Sequence, residues 1–265
     1  MMDRSTFIGL VIAIIGIFVG MVLKGINLTV LLNPAAILII IFGTIGAVMV
    51  AFPMSELKRV PKLLKIIFKD EKTTDPIELI RMFSEWAQTA RKEGLLALEA
   101  KTDEIEDDFL RNGLSMAVDG LNAEYIRDVL TEEIEEMEER HKAGAQIFSQ
   151  AGTYAPTLGV LGAVVGLIAA LADMSDIDAL GYAISSAFVA TLLGIFTGYV
   201  LWHPFANKLR RKSQEEVKLK FMMVEGVLSI LEGEAPRVIE QKLASFLPAA
   251  QKKKMIEEGG VRANE

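Results

Sequence analysis

The chain has 265 residues, 51% of them hydrophobic and 24% charged, with no Cys, two His and a formal net charge of −7. Without Cys there is no disulfide framework, thiolate nucleophile, Cys-ligated zinc or thiolate-held iron–sulfur cluster. His141 and His203 stand apart in unlike surroundings, with no zinc-protease spacing, phosphate-cradling glycine loop or serine elbow near them. The expectation is a protein without enzymatic turnover, without a cofactor and without a nucleic-acid partner.

The charges are unevenly placed. Residues 5–23, 25–55, 143–172 and 179–207 contain no Asp, Glu, Lys or Arg, and roughly 20 apolar residues suffice to cross a bilayer core as a helix. This predicts an all-α integral membrane protein with four transmembrane helices and a large helical cytoplasmic domain. The expected divisions are 1–52 (crossings one and two with a short outer link), 53–148 (cytoplasmic helices), 149–203 (crossings three and four) and 204–265 (carboxy-terminal cytoplasmic helices and a loose tail).

In chain order, Arg4 could serve as the n-region of a signal peptide, but the apolar run from Phe7 to Leu23 is long and no A-x-A site follows, so the first helix is expected to be retained. Residues 53–148 hold 14 Lys and Arg and residues 202–265 hold 12, whereas the link near 24–32 holds only Lys24 and the link 173–178 holds none. Basic residues collect on the cytoplasmic side, so both termini are expected inside. Lys58, Arg59, Lys62 and Lys65 follow the second crossing, and Lys208, Arg210, Arg211 and Lys212 follow the fourth. They read first as topology anchors and headgroup contacts, with specific lipid binding the less favoured reading.

Asp75, Pro76 and Glu78 form a helix start, followed by Ile77, Ile80, Phe83, Ala87 and Ala90 at helical spacing. Further on, Ile126, Leu130, Ile134 and Met137 make an apolar stripe, while six Glu between 132 and 139 cover the other surfaces. Those acids read as a solvated face, with attraction of a basic partner as the alternative. No Pro interrupts 123–155, so this helix is expected to run on into the third crossing. Past the fourth crossing, Glu232-Gly233-Glu234 breaks the pattern, Pro236 opens a short helix expected to end at Pro248, and Lys252-Lys253-Lys254 with Gly259 and Gly260 reads as a loose tail.

Within the crossings, Gly16 and Gly20, Gly162 and Gly166, and Gly194 and Gly198 are G-x-x-x-G pairs, which permit close helix approach but fit ordinary packing equally well. Thr153, Thr157, Ser185, Ser186, Thr191 and Thr197 lie in the third and fourth crossings, either bonded back to carbonyls one turn earlier or forming a polar wall. No carboxylate lies mid-membrane; Asp173, Asp176 and Asp178 fall in the outer link. A cation crossing hydrocarbon needs a titratable or coordinating group, so ion passage here would require a carboxylate from another subunit. Pro156 and Pro204 stand near the inner ends of these crossings, each able to kink a helix and free a carbonyl; Pro204 could equally mark a helix boundary.

Three blocks carry a resemblance: Ala90-Arg91-Lys92-Glu93-Gly94-Leu95-Leu96-Ala97-Leu98-Glu99, Ala155-Pro156-Thr157-Leu158-Gly159 and Trp202-His203-Pro204. With the two-plus-two crossings, they make residues 2–250 resemble the motility protein A (MotA) family of the bacterial flagellar stator, within the MotA/TolQ/ExbB proton channel group. The resemblance implies a homopentamer around a dimer of MotB in the bacterial cytoplasmic membrane. MotB would supply the ion-accepting Asp and grip peptidoglycan, and the cytoplasmic loops of the A subunits would push the rotor protein FliG. It implies rotor contact by Arg91 and Glu99, an ion path lined by Thr157, Ala163, Ala190 and Thr191, and conformational coupling through Pro156 and Pro204.

Taken as one helix, Arg91 and Glu99 would project about 80° apart, so a single surface could show both. Sodium-type relatives carry Thr where this chain has Ala163 and a Thr pair where it has Ala190-Thr191, and sodium needs several oxygens around it. The expected ion is therefore H+, with Na+ the alternative. Competing readings are an ExbB/TolQ-type subunit energising outer-membrane processes, which usually has three crossings, and a passive membrane scaffold.

Overall fold

The computed structural model describes residues 3–69, 74–172, 177–253 and 255. Asp173 and Asp176 of the outer link, and Lys254, Gly259 and Gly260 of the tail, lie outside these. Among the described residues the regular elements are helical, and four helices are long and apolar enough to cross a membrane: Arg4–Leu23, Pro34–Ala51, Ala123–Leu171 and Leu180–Leu231. The chain divides into two compact units, residues 1–71 with 140–212 and residues 72–139 with 213–265.

The first unit begins with α1 (Arg4–Leu23), capped by Asp3, whose carboxylate accepts from the Thr6 N–H. Its second span, α2 (Pro34–Ala51), starts at Asn33, whose side-chain oxygen accepts from the Ala36 N–H. Pro34 at the first helical position has no N–H to leave unsatisfied. The Asn33 amide also donates to the Ser186 hydroxyl. Ala36, Ile40, Thr44 and Val48 recur every fourth residue and are the buried face of α2. The short α3 (Met54–Leu57) leads into α4 (Val60–Phe68), an amphipathic helix whose Ile67 is fully buried with Ala145, Phe148 and Phe205.

Two basic residues expected as topology anchors also hold the protein together. Lys212 Nζ donates to the carbonyls of Ile66 and Lys69 at 2.7 and 2.6 Å, satisfying the end of α4. Lys208 Nζ stands 2.6 Å from Asp3, and the Asp3 N–H reaches the Phe68 carbonyl. Burial works against ionisation of Asp3, yet hydrogen bonds from Lys208, Ser5 and the Thr6 N–H outweigh it and hold the carboxyl well below the usual carboxylate range.

The second unit is a helical globule. Its α5 (Pro76–Glu93) has Asp75 as N-cap and buries Ile77, Ile80, Phe83 and Ala87, the expected stripe. It is followed by α6 (Glu99–Thr102), α7 (Asp108–Val118), the first part of α8 (Ala123–Leu171), the later part of α10 (His203–Leu231) and α11 (Pro236–Leu243). Phe83 is fully buried and meets Trp86 edge-on at 5.5 Å. Its ring lies on Gly226 so closely that a methyl there would come within 2.6 Å. Ile126, Leu130 and Ile134 enter the same core, as their spacing predicts. Lys220 stands 2.7 Å from Asp107 and over the Phe109 ring, and Glu225 bridges Arg127 at 2.8 Å and Lys242 at 3.1 Å.

Three expectations need correction. Arg91 and Glu99 do not share a helix: α5 ends at Gly94, whose φ of +88° is a conformation only glycine adopts without strain, and a 3-10 turn (Leu95–Leu98) precedes α6. The turn tucks Leu98 into the core and leaves Leu96 outside, and that burial pattern decides the break. The helix opened by Pro236 ends at Leu243, before Pro248, and tightens into a 3-10 turn through Phe246. Third, Pro204 does not end the helix: it stands in the first turn of α10, just past a change of helical winding, and the chain is helical on both sides of it.

Candidate functional site

The third crossing, in α8, continues without interruption from Ala123, and Pro156 lies inside it. Pro156 has no N–H to give the Gly152 carbonyl, which would otherwise accept it in an i to i−4 ladder. The fourth crossing is α9 (Ile177–Phe196) followed by a π-helical turn, Thr197–Trp202, in which the His203 N–H reaches five residues back to the Gly198 carbonyl. Pro204 follows in the first turn of α10. A wide turn of this kind accommodates one extra residue and commonly marks functional sites. It relieves the clash a proline ring makes with the carbonyl four residues earlier, which explains how a helix passes through Trp202-His203-Pro204 unbroken.

The two crossings meet through glycines at near-contact distance. A methyl added at Gly159 would stand 2.8 Å from the Ala190 carbonyl oxygen and 3.0 Å from Gly194 Cα, and one at Gly194 would stand 2.8 Å from the Ala155 carbonyl oxygen. At Gly198 it would meet the Pro156 ring at 2.7 Å and the Gly152 carbonyl oxygen at 2.8 Å. The carbonyl that Pro156 leaves without its donor is thus faced by a glycine of the neighbouring helix. At Gly152 a methyl would strike the His203 ring at 2.8 Å. Pro156 and the turn leading to Pro204 are therefore packed on one another.

Of the three G-x-x-x-G pairs, Gly194 and Gly198 make this seam. Gly16, Gly20 and Gly166 have open space at the Cβ position, and Gly162 has ordinary contacts with Ile39 and Ala190. The facing residues, Gly152 and Gly159, are seven apart, two helical turns; as a pair they carry no G-x-x-x-G signal. A search for small residues at two-turn spacing would have found them.

Four threonine hydroxyls of these crossings bond back within their own helices. Thr157 donates to the Tyr154 carbonyl at 2.7 Å, Thr191 to Ala187 at 3.1 Å, Thr153 to Ser149 at 3.1 Å and Thr197 to Leu193 at 2.9 Å. Each keeps lone pairs that can accept from water. Thr157 is exposed, Thr191 and Ala163 are half-buried, and Ala190 is buried at 2% beside Gly159 and Gly162. Beyond this seam Trp202 lies among Phe148 and Phe205, with ring centroids 6.2 and 6.3 Å away.

In the second unit, Arg91 is exposed in the last turn of α5 and Glu99 is exposed at the start of α6. Gly94 and the fully buried Leu98 between them set their relative placement. Among the described residues no group of three or more His, Cys, Asp or Glu is placed to hold a metal ion.

Comparison with known proteins places this arrangement. Residues 101–222 match the model of the MotA/TolQ/ExbB proton channel family, and residues 7–94 match the motility protein A N-terminal model. The chain is 64% identical over 264 residues to motility protein A of Bacillus subtilis, covering 100% of this chain and 98% of that protein. Its structure is similar to a chain of the flagellar MotAB stator complex from Bacillus subtilis, with a TM-score of 0.91 at 66% identity over 95% of this chain and 99% of that one. A chain of C. jejuni MotAB gives a TM-score of 0.89 at 37% identity over 94% and 97%. With identity and coverage this extensive, the chain belongs to the motility protein A branch of the MotA/TolQ/ExbB proton channel family.

Proposed function

We propose that this protein is the ion-conducting A subunit of a flagellar stator, turning proton-motive force into torque on the rotor protein FliG together with MotB. In this reading five copies surround a MotB dimer in the bacterial cytoplasmic membrane, multi-pass, with both termini in the cytoplasm. The charge distribution supports that orientation, since 14 and 12 basic residues occupy segments 53–148 and 202–265. It is a channel and motor subunit, not an enzyme.

The observation that carries the reading is the glycine seam between α8 and the fourth crossing. Two apolar spans are locked at backbone contact, with hydroxyls along them and no Asp, Glu, Lys or Arg in 143–172 or 179–207. Such a pair offers a wall but no titratable group in hydrocarbon; the Asp of MotB fits that vacancy in the chemistry. Protonation of that Asp would change the charge facing Thr157, Ala163, Ala190 and Thr191. Pro156 against Gly198, and the widened turn before Pro204, give the wall a place to rearrange, which supports their coupling role. Arg91 and Glu99, exposed on either side of Gly94, would engage charged groups on FliG. Exposed ion pairs contribute only about 0–1 kcal/mol each, which suits contacts made and broken at every step.

The test is co-production with MotB in a strain lacking its own A subunit, with the MotB Asp either intact or changed to Asn. Swimming with the intact partner, and assembled but immotile complexes with the Asn variant, are expected; motility that ignores the Asp would overturn the reading. Proton coupling is tested separately, by replacing sodium with potassium at fixed proton-motive force. Swimming should continue, and arrest would assign Na+ instead. Particle images of the purified complex read the subunit number.

A further inference from the structure

A cavity of about 320 Å³ opens beside the C-terminal half of α2, walled chiefly by Ile45, Val48, Met49, Ile147, Phe148 and Ala151, with Trp202 at one side. Its size falls in the range of small-ligand sites, roughly 300–1,000 Å³. Apart from the Trp202 indole, two polar side chains line it, Thr44 and Lys58. They differ in kind. Thr44 is 4% exposed and its hydroxyl has no hydrogen-bond partner, whereas Thr153, Thr157, Thr191 and Thr197 each bond to a carbonyl of the preceding turn. The Thr44 oxygen is sealed from the cavity as well as from other donors, so Thr44 adds only apolar surface to the wall and the polar contact falls to Lys58.

Lys58 is exposed and is followed directly by Arg59 and four residues on by Lys62, so one end of the cavity is cationic. The surrounding face of α2 is apolar and open, with Ile45 and Met49 each about half exposed. A cavity on that face of a membrane-spanning helix meets lipid before it meets water. Its contents therefore need an apolar body for the walls and a negative charge for Lys58.

We propose that this cavity holds an acyl chain of an anionic phospholipid, with the phosphate facing Lys58. Lys side chains reach toward the headgroup region while keeping their stems along apolar surface, and basic residues next to a span attract anionic headgroups. The lipid stands against Trp202, the last residue of the π-helical turn. The inference requires that α2 span the membrane; it does not require the motor reading, and its test reads binding rather than motility.

Native mass spectrometry of the full chain with MotB in mild detergent, titrated with phosphatidylglycerol or phosphatidylcholine, measures retained lipid. Phosphatidylglycerol should be retained in preference to phosphatidylcholine, at one molecule per A subunit. Lys58→Gln should abolish the preference for the anionic lipid, and Ala151→Leu should fill the cavity and displace lipid of either kind. Should Ala151→Leu fail to fold, the Lys58 variant still decides. Equal retention of both lipids by the unaltered protein, or a preference for the anionic lipid unchanged in Lys58→Gln, would overturn the proposal. Because the chain lacks Cys, Met49→Cys carrying a benzophenone maleimide gives a clean second reading: photocrosslinks to lipid are expected, and crosslinks between A subunits would mean that another subunit, not lipid, covers the cavity.

Discussion

At the scale of single residues, the consequences follow from how little room each side chain has. Gly194→Ala places a methyl 2.8 Å from a backbone carbonyl that no rotamer can move, so the two crossings must separate. A cost of about 1–3 kcal/mol is expected, read as a lower melting temperature in detergent together with loss of swimming. Gly16→Ala, in another G-x-x-x-G pair but with nothing within 4 Å of the new methyl, should leave melting of the purified protein unchanged. Equal effects at the two sites would refute the seam.

Glu225 makes a second residue-scale prediction. Burial acts against its ionisation, but Arg127 and Lys242 outweigh that and lower its pKa. Since the folded-state value lies below the unfolded one, the stabilisation is complete above the ordinary glutamate range and fades as pH falls through the lowered value. Glu225→Gln should therefore cost about 1 kcal/mol at neutral pH, and the gap to the unaltered protein should narrow on acidification; a gap independent of pH would contradict this.

At the scale of elements, the behaviour of helices around Gly94 and the prolines matters most. Ala at Gly94 must adopt φ +88° or unwind the junction between α5 and the 3-10 turn, at a cost of about 1 kcal/mol or more. Thermal melting should register that loss, and swimming should weaken if the spacing of Arg91 and Glu99 serves the rotor contact. Pro156→Ala acts the other way on stability: it restores an N–H to the Gly152 carbonyl, so α8 should gain local stability while torque falls. Normal torque in an assembled Pro156→Ala complex would remove Pro156 from the coupling mechanism. Capping and periodicity made α5 legible, because Asp75-Pro76 and the Ile77, Ile80, Phe83 stripe are local signals. The break at Gly94 was not, since an Arg-Lys-Glu-Gly-Leu-Leu run has good helix formers on both sides of the glycine; burial of Leu98 in a core built from distant segments settles it.

At the scale of the whole molecule, the central expectation is that the protein alone does not conduct. Reconstituted in vesicles without its partner, it should carry no gated, saturable proton flux, measured with an entrapped pH dye; such a flux would sink the division of labour proposed here. The same physics says why the four crossings were plain from the sequence. A charge in hydrocarbon is costly enough to be excluded from every span, and that exclusion is written in the chain without reference to any fold.

The sequence by itself determined the number and limits of the apolar spans, the start of α5, the continuity of α8 and the lack of a carboxylate within the membrane. Each of these depends on neighbours in the chain or on the solvent. The tertiary structure alone decided which glycines touch, that Thr44 lacks a partner while Thr153, Thr157, Thr191 and Thr197 find one, that a widened turn carries the fourth crossing past Pro204, and that Arg91 and Glu99 sit on separate elements. Those outcomes depend on what lies a few ångströms away from a different part of the chain. Spacing along one helix cannot report it, because the same Gly-x-x-x-Gly reads identically whether its groove is empty, as at Gly16 and Gly20, or filled by another backbone, as at Gly194 and Gly198.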